Sequence, residues 1–81
     1  MVKLRLVASS ILDVLEREGA KEEEEVYKQI QRLHGDIDRR VFEELLMSLE
    51  IQGLIRVSNL SRDRRRIELV RSGGWGSSSE I

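Results

Sequence analysis

DIDRRVFEELLMSLEIQGLIRVSNLSRDRRRIELV, residues Asp36 to Val70, decides the fold of this 81-residue chain. Phe42, Leu45, Leu46 and Leu49 recur at the three-and-four spacing that lines one face of a helix. Asp38, with Asp36 as its rival, supplies a short side-chain oxygen for an orphan amide of the first turn. Ile37 lies just before the helix, where it can pack under the incoming chain. Gly53 stands where a left-handed residue would end the helix, a conformation that glycine adopts without steric cost. Beyond it, Leu54 to Val57 reads as a short apolar strand and Arg64 to Val70 as an alternating return strand. Ser58 to Asp63 forms the polar turn between them, with Asn59 and Asp63 as its turn residues.

Upstream, two more helices are expected. Val2 to Glu18, with a start near Leu4 favoured, carries the stripe Leu4, Val7, Ala8, Ile11, Leu12 and Leu15, with Val14 on its flank. Gly19 closes it. Lys21 to Leu33 forms the second, burying Val26, Tyr27, Ile30 and Leu33. Its opening glutamates, Glu22 to Glu25, suit the positive end of the helix dipole and read as a solvated helix start; a metal site or a DNA-repelling surface is the functional alternative. His34-Gly35-Asp36 makes the turn into the third helix. The architecture is therefore α+β, mainly α: three helices followed by a two-stranded hairpin.

The pattern Leu45-Leu46-x-x-Leu49-x-x-x-Gly53-Leu54-Ile55 resembles the winged helix-turn-helix repressors of bacteria and archaea, and the resemblance covers Ala8 to Val70. It implies a third helix in the DNA major groove and a hairpin, or wing, along the neighbouring backbone or minor groove. It further implies base contacts from residues near the start of the third helix, here Arg39, Arg40, Val41, Glu43 and Glu44.

Charge is unevenly spread. Asp13 to Glu25 holds seven acids against Arg17 and Lys21, whereas Arg56 to Arg71 holds six arginines against Asp63 and Glu68. A one-signed field at one end can attract a polyanion although the formal net charge is −1. Arg62, Arg64, Arg65 and Arg66 crowd the tip and the return strand, where planar donor forks suit phosphate oxygens. Alternation sends Arg64 and Arg66 to one side of the ribbon and Arg65 to the other. The resulting expectation is a double-stranded DNA-binding transcriptional regulator. Its rival is a winged-helix protein-interaction module without DNA binding, because Glu43, Glu44 and the acidic opening of the second helix would repel phosphates.

Other classes find little support. Cysteine is absent and His34 stands alone, so neither thiolate chemistry nor a metal cluster is expected. No motif points to catalysis, to a cofactor or to a small-molecule substrate. No apolar run approaches a membrane span and no leader pattern opens the chain, giving a cytoplasmic expectation. The domain is taken as residues 1–70, with 71–81 a Gly/Ser-rich tail in which Trp75 is a docking candidate. Met1, Val2 and Leu6 lie off the first helix's stripe, and with the need for two half-sites they suggest a homodimer.

Overall fold

A computed structural model describes residues 3–70. Its elements run α1 (Leu4–Glu18), β1 (Lys21–Glu22), α2 (Glu23–His34), α3 (Arg39–Ile51), β2 (Ile55–Asn59) and β3 (Arg65–Leu69). Met1, Val2, Trp75 and the rest of the 71–81 tail lie outside the described residues, and with them the docking expectation; of the residues named for a dimer only Leu6 is described, and it is exposed.

The sheet corrects the expectation of two strands: it has three, in the order β1-β3-β2, both pairings antiparallel. Lys21 faces Ile67 and Glu22 faces Arg66, so two residues assigned from sequence to the second helix instead cover the free edge of the return strand. A two-residue strand is too short to show alternation. Its existence is dictated by the unpaired backbone of β3, which only tertiary packing brings near. The hairpin itself follows the expected alternation. Ile55 pairs with Leu69 and Val57 with Ile67 on the inner face, while Arg56 with Glu68 and Ser58 with Arg66 lie on the outer face.

The core joins every helix to the hairpin. Val7, Ile11 and Leu15 of α1, Val26 and Ile30 of α2, and Phe42, Leu46 and Leu49 of α3 are buried together with Ile37, Ile55 and Ile67. Val14, placed on the flank from sequence, is also buried. Three apolar residues expected on inner faces are exposed: Leu4 is 48% exposed, Leu33 60% and Leu54 38%. Leu33 falls in the last turn of α2, past the end of the groove that Val26 and Ile30 fill. Leu54 contributes through its backbone instead, its carbonyl accepting from the Val70 amide at 2.9 Å.

The ends of α3 are built as the sequence requires. The Asp38 carboxylate accepts from the Arg40 amide at 3.0 Å. At the other end, the Gly53 amide donates to the Glu50 carbonyl and the Leu54 amide to the Leu49 carbonyl, each at 2.9 Å. This double closure needs a left-handed residue, and Gly53 has φ +80°. A Cβ at Gly53 would meet nothing within 4 Å, so backbone strain alone sets the cost of Gly53→Ala. We expect about 1 kcal/mol of destabilisation, seen as a lower urea midpoint at unchanged slope.

Candidate nucleic-acid interface

The arginines expected to face a polyanion divide into two groups. Arg39, the first residue of α3, turns back onto α2. Its Nη1 donates to both oxygens of Glu24, at 3.1 and 2.9 Å. Its Nη2 lies 3.7 Å from a Glu23 oxygen and its Nε 3.4 Å from Glu43, one turn on. The guanidinium carbon sits 4.7 Å from the Tyr27 ring centroid, a cation–π contact. Burial by itself would lower the pKa of Arg39, but the carboxylates of Glu24, Glu23 and Glu43 outweigh it and hold it above the ordinary value. Tyr27 is fixed in turn: its hydroxyl donates to the Ile37 carbonyl at 2.6 Å and its ring packs on Phe42 at 4.9 Å between centroids.

Arg65 lies on the inner face of the ribbon and donates through Nε to Glu23 at 2.7 Å. That hydrogen bond raises the Arg65 pKa. Glu23 is the buried charge of the assembly, its side chain only 6% exposed. Its second oxygen makes no hydrogen bond, so Arg39 and Arg65 together supply its compensation. Arg64, on the other side of the ribbon, donates Nε to Glu22 at 3.1 Å and makes a second contact through Nη2. The arginine hydrogen bond holds the Glu22 carboxyl below the usual range.

The glutamate block opens α2 as expected, with Glu24 and Glu25 exposed, but it is not solvated throughout: Glu23 is buried and Glu22 half-buried. Two of its members were chosen by the arginines of a strand some 40 residues away, and a third by the first arginine of α3. Glu25 serves the helix itself, accepting from the Glu22 amide at 3.3 Å. Periodicity places Glu23 in a first helical turn without saying what packs over it. The one sequence signal that could have revealed this was the match between two oppositely charged runs.

Arg40, Arg62 and Arg66 form the second group. All three are exposed, and none makes an ion pair or side-chain hydrogen bond among the described residues. Arg40 opens the solvent side of α3, Arg62 lies in the wing loop, and Arg66 points from the outer face of β3. α3 and the wing do stand side by side: Glu43, Leu46, Met47 and Glu50 face Val57 and Arg65 across a cleft of about 110 Å³. Val41, expected at a base, is half-buried against the core. Glu43 is engaged with Arg39, whereas Glu44 is exposed.

The magnitudes separate these pairs. Arg64 and Glu22 are 60% and 33% exposed, so water and salt compete with their contact and Arg64 can change partners readily. Arg65 cannot do so without stranding a buried carboxylate. The six-arginine surface inferred from sequence reduces to three free guanidinium groups and one exchangeable one.

Among the described residues, no group of three or more His, Cys, Asp or Glu is placed to hold a metal ion. No described helix is long and apolar enough to cross a membrane. His34 ties the end of α2 to α1, its Nε2 lying 2.8 Å from the Ser10 hydroxyl.

No protein-family model and no curated protein matches the chain. Among solved structures it is similar to hsRosR-S1, determined as a complex. The TM-score is 0.73 at 20% identity, covering 90% of this chain and 65% of the other. The chain thus spans a little under two thirds of that protein's length. The likeness is one of fold: three helices and a three-stranded antiparallel sheet in the winged-helix arrangement.

Proposed function

We propose that this chain is a double-stranded DNA-binding protein of the transcription-regulator class, with α3 against the major groove and the wing on the backbone. One observation carries this reading: Arg40, Arg62 and Arg66 are unpaired and exposed on the start of α3 and on the wing that flanks it. The likeness in fold to hsRosR-S1 is compatible with it. Arg39 and Arg65 act as struts that hold α2, α3 and the ribbon in register, and Arg64 joins the phosphate contacts by leaving Glu22. Two copies on a two-fold site would double the contacts.

Two or three phosphate contacts from the wing, Arg62 and Arg66 with Arg64, give a slope of log affinity against log salt of about −1.8 to −2.7 per protomer. In mobility-shift titrations against random duplexes, Arg62→Ala with Arg66→Ala should make that slope shallower by about 1.8, with the melting temperature unchanged. A salt-independent affinity, or a slope indifferent to both substitutions, would sink the proposal.

A second reading is favoured by the rest of the α3 surface. Glu43, Glu44 and Glu50 surround Met47 and Ile51, which are 61% and 78% exposed, a mixture that suits a basic, partly apolar protein segment. Absence of duplex binding at low salt, with the fold intact, selects this reading.

A further inference from the structure

The solvent side of α3 carries Arg40, Glu44, Met47 and Ile51 at positions i, i+4, i+7 and i+11, all exposed and on one stripe. Their neighbours are unavailable: Arg39 is held by Glu24 and Glu23, Glu43 by Arg39, and Val41 by the core.

Resting on the DNA-binding reading above, we propose that this stripe recognises a site containing guanine and cytosine, with Glu44 seated on the cytosine amino group. The chemistry of the base edges leads there. An arginine presents two donors to the O6 and N7 acceptors of guanine. A carboxylate only accepts, and guanine and thymine offer acceptors in the major groove, which repel it. Adenine sets an acceptor beside its amino group, whereas cytosine offers N4 as a donor. In the groove Glu44 also meets the repulsion of the phosphates, so an adjoining donor is needed to hold it there. Met47, apolar and one turn further on, suits the methyl group of a thymine.

The spacing sets the length of the site. Arg40 to Met47 advances about 10 Å along the helix axis at 1.5 Å per residue. That distance covers about three base pairs at 3.4 Å each. The stripe therefore reads one short G·C-containing element per protomer, and the wing arginines add affinity without base preference.

Selection from a random duplex pool, followed by competition binding, tests this. The wild-type protein should enrich an element holding guanine and cytosine within about three base pairs. Glu44→Gln should move the preference at the cytosine from C to A by about tenfold, since a carboxamide both donates to N7 and accepts from the adenine amino group. Arg62→Ala should weaken all sequences alike. Selective binding to elements lacking cytosine, binding without preference, or a Glu44→Gln preference identical to wild type overturns this inference while the DNA-binding reading stands. Failure of the wild-type protein to bind any duplex at low salt overturns both.

Discussion

Phe42→Ala should cost about 3–4 kcal/mol and lower the melting temperature by about 12–32 °C for a domain of this size. Phe42 is fully buried where α2, α3 and the hairpin meet, and its ring packs 4.9 Å from that of Tyr27. Removing it opens a cavity and also loosens Tyr27, which carries both the Arg39 cation–π contact and the hydrogen bond to the Ile37 carbonyl. A domain this small has a total stability on the order of 5 kcal/mol, so the variant should keep only about 1–2 kcal/mol of it. Phe42→Leu keeps most of the volume and should lose only about 1 kcal/mol. Circular dichroism melts of the three proteins decide the matter. A fall of under about 5 °C for the alanine variant would mean that the core does not centre on this ring.

Glu23→Ala is expected to destabilise by about 2–3 kcal/mol, below the full cost of breaking a buried pair because Arg39 and Arg65 retain access to water. The contrast among the arginines is the sharper test. Arg65→Ala leaves the Glu23 carboxylate buried, with Arg39 at 3.7 Å as its remaining partner, so its loss should equal or exceed that of Glu23→Ala. Arg64→Ala removes a contact already open to solvent and should leave the melting temperature unchanged. The Glu23→Ala and Arg65→Ala pair should be strongly non-additive, since either change alone removes the same interaction. Equal, small effects for Arg64 and Arg65 would show that Glu23 is not the buried anchor of the ribbon.

The same contrast separates stability from recognition. Arg39 and Arg65 are invested in the fold, so their substitution should weaken DNA binding only by loosening the scaffold. Arg40, Arg62 and Arg66 make no ion pair or side-chain hydrogen bond among the described residues and should report on a ligand alone.

Much of this was legible from residues 36–70. The three-and-four spacing of Phe42, Leu45, Leu46 and Leu49, the Asp38 cap and the Gly53 stop describe α3 to within a residue or two, because each acts over a single helical turn. The alternation of Arg65, Ile67 and Leu69 against Arg66 and Glu68 sorted the two faces of the return strand for the same reason. Periodicity is a local property, and local rules were enough for it.

What only the tertiary structure decided was partnership. Whether an arginine meets a phosphate or a glutamate of its own chain depends on which elements pack together, and 42 residues separate Glu22 from Arg64 and Glu23 from Arg65. Packing α2 beside the ribbon placed the acidic block over the basic one, added β1 to the sheet edge and buried Glu23 between two guanidinium groups. Coulomb attraction acts through space, so opposite runs far apart along the chain neutralise one another once folding makes them neighbours. That is why composition announced a wing with four arginines at its tip and return strand, and the fold left two of them, Arg62 and Arg66, free.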